Sequence, residues 1–200
     1  MCGIAGIMSR DGAAVDTAAL DALAGALAHR GPDGEGRLVR EGVGLVQTRL
    51  AIIDLEHGRQ PLHEPGGAAL IANGEIYNYL ELTTDEGLAS RTGSDCEPPL
   101  HLYRRHGLAF TEHLRGMYAL AIHDPVGSRG GAGRLVLARD PFGIKPLYFV
   151  EGDFGLAFAS EPGALVTAGL VPATLDAARR DELLNPQFTT GDGLPLGGIA

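Results

Sequence analysis

The chain has 200 residues, of which 44% are hydrophobic and 20% are charged, a balance typical of one well-buried globular domain and not of a disordered chain. Its formal net charge of −9 argues against a nucleic-acid partner, because no basic patch is available to meet phosphates. No stretch reaches the ~20 apolar residues that span a bilayer, and no signal peptide is recognisable. The two cysteines, Cys2 and Cys96, are expected to be free thiols, so we expect a cytoplasmic protein.

The first predicted elements are a strand and a helix. An apolar strand is expected directly after Cys2. The helix begins near Asp16, a suitable N-cap, and places Leu20, Leu23 and Leu27 on one face. A Gly-Pro pair ends this helix.

Apolar runs rich in branched residues predict the remaining strands over residues 43–53, 68–76, 117–123, 134–139, 147–150 and 156–160. A helical region is predicted between residues 97 and 114, divided in two by Gly107. In the last four runs the residues that point to either face of the strand are mainly apolar, which indicates strands that are covered on both faces. Short connections favour antiparallel hairpins, one with a glycine-rich loop at 127–133. Two packed antiparallel sheets with helices outside bury this set most simply.

From residue 172 onward the composition becomes rich in glycine and proline. A short helix is predicted there over residues 175–184. The apolar stub that ends the chain is more typical of a severed connection to another domain than of a natural terminus.

Cys2 follows only the initiator methionine. Small second residues normally permit removal of that methionine, which would leave a thiol and a free α-amine on one residue. An α-amine titrates near ~7.7–8.0 and a thiol near ~8.5, so the amine can take the thiol's proton and activate it as a nucleophile. The alternative is a buried cysteine that begins a strand, and one position does not decide between them.

An acyl-transfer reaction at Cys2 needs donors for the developing oxyanion. Asn73 offers a side-chain amide, and Gly74 offers a backbone N–H that no side chain shields. The structural alternative is an Asn-Gly hairpin turn, which is the stronger interpretation of the dipeptide alone.

Two charged residues are candidates for substrate binding. Arg49 lies in an apolar run, so its guanidinium must be paired, either with an internal carboxylate or with that of a substrate. Asp95 precedes the second helical region, where it can serve as an N-cap or hold a substrate ammonium. An arginine for a carboxylate and an aspartate for an ammonium would together recognise an α-amino acid.

No metal site is predicted. His101 and His106 are five residues apart, which places them on different helix faces, and no Cys-x-x-Cys occurs. We expect solvated surface histidines. Cys96 is expected to be an unreactive thiol beside Asp95.

Short motifs follow one another along most of residues 1–170. The chain opens with CGIAGI at 2–7 and continues with HRGPD at 29–33. The later motifs are RLAIIDL at 49–55, QPL at 60–62, NGEIYN at 73–78, SDCE at 94–97, LRGM at 114–117, RDPFGIKPLY at 139–148 and ASE at 159–161. Together they resemble the class II glutamine amidotransferases, whose N-terminal cysteine hydrolyses glutamine. The Pro-Asp pair at 32–33 resembles the asparagine synthetase branch of that class.

The resemblance implies an α+β fold, the four-layer αββα sandwich of two antiparallel sheets found in N-terminal-nucleophile hydrolases. It implies Cys2 as the nucleophile with its own amine as base, and an oxyanion hole formed by Asn73 and Gly74. The substrate-binding residues that it implies are Arg49 for the glutamine α-carboxylate, Glu75 and Asp95 for the α-ammonium, and the main chain at Leu50, Ile52 and Ile53.

The resemblance also implies a domain organisation. Asparagine synthetases carry a C-terminal ATP-pyrophosphatase domain with a Ser-Gly-Gly-x-Asp-Ser motif, which does not occur in these 200 residues. We therefore expect a glutaminase domain over residues 1–170 and, over 171–200, a linker toward a missing synthetase domain. The expected substrate is L-glutamine, and the expected partner is an ammonia-accepting synthetase domain, C-terminal or separate. A homodimer is compatible with the family. No cofactor is expected in this domain, since ATP and Mg²⁺ belong to the synthetase domain.

Three functional hypotheses follow. The first is a glutaminase that supplies ammonia for asparagine synthesis from aspartate. The second is an amidotransferase domain that feeds a different carboxylate acceptor. The third is a non-catalytic glutamine-sensing or interaction module, in which retained Met1 blocks the amine of Cys2.

Overall fold

Two antiparallel sheets lie face to face between layers of helix in the computed structural model, which describes residues 1–54, 56–126 and 133–174 together with Arg180, Leu196, Gly198 and Ile199. The α+β sandwich expected from the sequence is confirmed. The helix predicted at 175–184 and the glycine-rich loop lie outside the described residues, apart from Arg180 and Gly133. The same holds for most of the expected linker at 171–200.

The first sheet has five strands in the order β2-β3-β1-β9-β8, and the second has four in the order β4-β5-β6-β7. The strands of the first sheet are β1 Gly3–Ser9, β2 Gly34–Arg40, β3 Val43–Arg49, β8 Tyr148–Gly152 and β9 Gly155–Ala159. Those of the second are β4 Leu62–His63, β5 Ala69–Ile76, β6 Gly116–Asp124 and β7 Arg134–Arg139. Every pairing between these strands is antiparallel. β1 is central to its sheet, so the residue preceding it, Cys2, starts from a fixed position.

The alternation of side chains along each strand divides the core into three apolar layers. On β1, Ile4 lies between the two sheets while Ala5 faces the outer layer of the first sheet. On β5, Ile71 lies between the sheets and Ala72 faces the outer layer of the second. Both faces of these strands are therefore buried, as the unbroken apolar runs predict.

The helices cover the outer faces of the sheets. They are α1 Thr17–Leu27, α2 Tyr79–Asp85, α3 Pro98–His106 and α4 Pro162–Thr167, with a 3-10 turn over Gly107–His113. Asp16 caps α1, since its Oδ1 accepts from the Ala18 N–H at 2.8 Å. Gly107 adopts φ 60 and ends α3, as expected, because a left-handed residue is favourable only for glycine.

Three details differ from the expectations. The strand predicted over 43–53 ends at Arg49, and residues 50–54 form a loop. The pair at 73–74 lies inside β5 and is not a hairpin turn. Strand β2 and helices α2 and α4 were not predicted, because their exposed or short segments lack a sustained apolar period.

Among the described residues, none of the helices is long and apolar enough to cross a membrane.

Candidate active site

Cys2 is held at the start of β1 by contacts with two distant segments. The Ile4 N–H donates to the Ser160 hydroxyl at 3.0 Å, and the Ser160 N–H donates to the Ile4 carbonyl at 2.8 Å. The Arg30 Nε donates to the Cys2 carbonyl at 3.0 Å. The backbone that follows the Cys2 side chain is thus fixed before any substrate binds.

Glu161 completes this anchor. The Arg30 Nη1 lies 2.7 Å from the Glu161 Oε1, and His29 Nε2 lies 3.0 Å from the same oxygen. Although burial favours the neutral acid, the hydrogen bonds from Arg30 and His29 keep the pKa of Glu161 below its usual value. The carboxylate is therefore charged at neutral pH and holds Arg30 against Cys2.

The Cys2 thiol faces the loop that follows β3. Its Sγ lies 3.4 Å from the Leu50 N and 3.6 Å from the Leu50 carbonyl oxygen. The thiol opens into a cavity of about 130 Å³ that Met1 also lines. Met1 is 58% exposed, so an aminopeptidase can reach it.

The loop over residues 50–54 is fixed by polar contacts at both ends. The Ala51 N–H donates to the Asp33 carboxylate at 2.8 Å. Asp54 has a left-handed backbone, with φ 47, and its carboxylate accepts from the N–H groups of His57 at 3.0 Å and Gly93 at 2.8 Å. These bonds, that from His57 foremost, lower the pKa of Asp54 and join this loop to the segment that carries Asp95.

Arg49, the last residue of β3, reaches across the loop. Its Nη2 donates to the carbonyl oxygens of Asp54 at 2.6 Å and Ile53 at 3.3 Å. The guanidinium also lines the cavity. These bonds to backbone carbonyls help to orient the guanidinium beside the cavity.

The backbone direction of β5 places the Gly74 N–H on the cavity side. In an antiparallel strand the N–H groups of alternate residues point the same way. The Ala72 N–H donates to the Gln60 Oε1 and the Ile76 N–H donates to the Asp95 Oδ2, both away from β6. The Gly74 N–H, between them, has the same direction, and in the described residues β4 pairs with β5 only at Ala69 and Leu70.

Close strand packing also explains why residue 74 is glycine. A Cβ atom at Gly74 would lie 2.6 Å from the Met117 carbonyl oxygen and 2.8 Å from the Tyr118 Cα. The identity of this residue therefore has a structural cause in addition to any role of its N–H group.

Two buried side chains that line the cavity have amide nitrogens without a hydrogen-bond partner in the structure. Asn73 is 2% exposed and Gln47 is 1% exposed, and neither the Asn73 Nδ2 nor the Gln47 Nε2 has a hydrogen-bond partner. An unpaired buried donor costs about 1–3 kcal/mol, so such groups are rare unless a ligand satisfies them. These two donors mark the cavity as a binding site for an oxygen-bearing group.

Two carboxylates lie at another part of the cavity. Asp95 is 6% exposed and accepts from the Ile76 N–H at 2.9 Å. Burial raises the pKa of Asp95, and the neighbouring charge of Glu75 raises it further. An ammonium group bound here would relieve the repulsion between Glu75 and Asp95. Asp95 does not cap α3, so the capping alternative is wrong.

The structure brings all the predicted site residues to this one cavity. Its lining includes Cys2, Arg49, Leu50, Ile52, Ile53, Asn73, Gly74, Glu75 and Asp95. Gln47, Gln60 and Lys145 also line it and were not predicted. Lys145 is 8% exposed, and a buried cation there suits an anionic group of a substrate or intermediate. Gln47 could have been identified as a candidate site residue from its sequence position, because it is a polar residue inside an apolar strand.

The histidines are arranged differently from the expectation. The His101 Nε2 lies 3.1 Å from the Oε1 of the buried Glu97. His106 stacks on His113 and lies near Glu86, a grouping that the spacing of His101 and His106 does not reveal.

Comparison with known proteins gives consistent results. The family model described as a glutamine amidotransferase domain matches residues 1–199. Asparagine synthetase [glutamine-hydrolyzing] 2 of Bacillus subtilis is 40% identical over 80% of the chain and 22% of its own length. Asparagine synthetase [glutamine-hydrolyzing] 3 of Arabidopsis thaliana is 42% identical over 82% of the chain and 28% of its own length. Amidase chry2 of Gibberella zeae is 37% identical over 82% of the chain and 25% of its own length. The chain spans about a quarter of the length of these relatives.

Solved structures show the same fold. The glutamine phosphoribosylpyrophosphate amidotransferase of B. subtilis, complexed with ADP and GMP, superposes with a TM-score of 0.67. The two sequences are 23% identical, and the match covers 84% of this chain and 44% of the chain in that structure. This match supports the arrangement of the two sheets and their helices.

Proposed function

Because the chain belongs to the glutamine amidotransferase domain family, we propose that it hydrolyses L-glutamine to L-glutamate and ammonia through a γ-glutamyl thioester on Cys2. The observation that carries this proposal is the position of the unpaired Asn73 amide in the cavity that holds the Cys2 thiol. An amide donor and a thiol that line one cavity are two of the groups that acyl transfer requires.

The charges around the cavity support glutamine as the substrate. Arg49 suits the α-carboxylate, and the mutually repelling Glu75 and Asp95 suit the α-ammonium. Leu50, Ile52 and Ile53 also line the cavity. Bound in this way, glutamine presents its side-chain amide to Cys2.

In the proposed mechanism, removal of Met1 frees the Cys2 α-amine, which takes the thiol's proton. The Sγ attacks the amide carbon, and the oxyanion that forms accepts from the Asn73 Nδ2 and the Gly74 N–H. The tetrahedral intermediate collapses when the amine returns its proton to the leaving nitrogen, releasing ammonia. Water then attacks the thioester by the same acid–base steps, releasing glutamate and restoring the thiol.

The state of the N-terminus tests the base. We expect intact-mass measurement of the purified active protein to show the chain without Met1, because a retained methionine converts the Cys2 amine into a peptide nitrogen. A preparation with Met1 retained should release no glutamate, and treatment with a methionine aminopeptidase should restore release. Full activity with Met1 in place would contradict the assignment of the amine as base and favour another proton acceptor.

Substitution of Arg49 tests the carboxylate contact. We expect Arg49→Ala to raise KM for glutamine about 10- to 100-fold with a smaller change in kcat, because a charge-assisted contact is worth about 1.5–3 kcal/mol. Arg49→Lys, which keeps the charge and loses the planar fork, should give an intermediate KM. Arg37→Ala is the matched control, since Arg37 pairs with Asp21 and Glu35 on the protein surface. An unchanged KM in Arg49→Ala would remove the carboxylate contact from the proposal.

For the ammonia acceptor we propose aspartate, with this chain acting as the glutaminase part of an asparagine synthetase. The support is the similarity to the Bacillus and Arabidopsis asparagine synthetases. On this proposal ATP and Mg²⁺ bind to an ammonia-accepting synthetase domain and no cofactor binds here. The free thiols of Cys2 and Cys96 suit the reducing cytoplasm.

A different carboxylate acceptor is the second candidate, favoured by the similarity to Amidase chry2. Supplying the full-length protein with ATP, Mg²⁺, ¹⁵N-amide glutamine and either aspartate or other carboxylic acids separates the two. Label in asparagine supports the first candidate, and label only in another amide supports the second.

A further inference from the structure

Three potential metal ligands meet on the outer helical layer, outside the proposed glutaminase cavity. Glu86 follows α2 as its C-cap, His106 is the last residue of α3, and His113 ends the 3-10 turn. The His106 and His113 rings stack with their centroids 4.2 Å apart, and the His106 Nε2 lies 3.7 Å from the Glu86 Oε2. One ligand atom from each residue lies within 4.8 Å of the other two.

We propose that Glu86, His106 and His113 bind a divalent transition-metal ion, with Zn²⁺ as the best match. Two imidazole nitrogens and one carboxylate oxygen form a donor set that zinc prefers in proteins, and the fourth position is left to water. The three residues lie at the ends of three different elements, so the ion would join the ends of α2, α3 and the 3-10 turn. This proposal is independent of the proposed glutaminase activity.

An unsatisfied nitrogen supports the site. The His106 Nε2 is buried and makes no hydrogen bond in the structure, since its 3.7 Å separation from Glu86 is too long for one. A buried nitrogen without a hydrogen bond, close to a carboxylate and to a second imidazole, is a group that a bound ion would satisfy.

Binding requires the ligand atoms to move closer and the two stacked rings, 27° from parallel, to turn so that one nitrogen of each points at the ion. Zinc–nitrogen and zinc–oxygen bonds of about 2.0–2.2 Å require tetrahedral ligand atoms roughly 3.3 Å apart, so atoms within 4.8 Å must close by up to about 1.5 Å. The side chains of Glu86 and His106 are each 28% exposed, so both have room to rotate.

Arg105 supplies the outer contact that metal-binding carboxylates usually have. Its Nη1 donates to the Glu86 Oε2 at 2.6 Å. Arg105 thus holds the Glu86 carboxylate beside His106, as the outer contacts of metal ligands do.

Isothermal titration of the metal-free protein with ZnCl₂ tests the proposal. We expect one saturable site, a zinc-dependent rise in Tm, and at least a tenfold loss of affinity in both His106→Gln and His113→Gln. His57→Gln is the matched control, because His57 is an exposed histidine outside the cluster. The Cys2→Ala variant shows whether any of the zinc is bound by the Cys2 thiol. Zinc bound there would be lost in Cys2→Ala and kept in His106→Gln and His113→Gln.

Equal Tm values for the metal-free variants and the parent would show that the losses of affinity are not due to unfolding. The proposal is overturned if no saturable binding occurs, or if zinc affinity survives both His106→Gln and His113→Gln. It is also overturned if His57→Gln loses as much affinity as they do.

Discussion

Replacing Cys2 with alanine is expected to lower glutamate release by at least about 10³-fold, because the other thiol that lines the cavity, Cys96, is buried and donates to the Gly74 carbonyl. The same variant should unfold at nearly the parental Tm, since Cys2 is only half-buried and its position depends on backbone contacts with Arg30 and Leu50. A coupled glutamate assay and thermal unfolding measure the two effects.

Alkylation with iodoacetamide provides the control for this prediction. We expect one adduct on the parent, slowed by glutamine, and none on Cys2→Ala. Burial raises the pKa of the Cys96 thiol well above its usual value, and the neighbouring charge of Asp95 adds to the shift, so Cys96 should remain unmodified. Persistent glutamate release by Cys2→Ala would refute the assignment of Cys2 as nucleophile.

The layered core was predictable from the sequence because both alternations of the inner strands are apolar. Ile4 and Ala5 point to opposite layers, and neither position leaves a face of β1 open to water. Edge strand β2 gave no such signal: its residues alternate between exposed and half-exposed positions, and an edge strand needs only one side of its backbone paired.

The Asn-Gly dipeptide shows where local interpretation is insufficient. Residues 73–74 have the sequence of a hairpin turn, yet they continue β5, because β6 pairs with every residue from Ala69 to Ile76. The glycine permits the close approach of Met117 and Tyr118, a cause that lies in the tertiary structure. Only the motifs shared with the family placed this pair beside Cys2.

Residues that act through long-range packing were not predictable from their own segments. Gln47 carries an unpaired amide into the cavity only because β3 pairs with β1. His113 reaches His106 because the 3-10 turn folds back after Gly107. Sequence spacing describes faces of one helix, whereas these contacts depend on how separate elements meet.

Replacing Asn73 with alanine is expected to lower kcat about 10²- to 10³-fold with little change in KM, as loss of one preorganised oxyanion donor does elsewhere. The free energy of unfolding should change little, because the Asn73 Nδ2 makes no hydrogen bond in the structure that the substitution could break. Asn78→Ala is the matched control: the Asn78 side chain bonds the His113 carbonyl at 3.0 Å and the Arg115 N–H at 2.9 Å, so its loss should lower Tm. The two asparagines thus separate catalysis from stability. If Asn73→Ala instead lost stability and kept kcat within about fivefold, the amide would be structural and the oxyanion would depend on the Gly74 N–H alone.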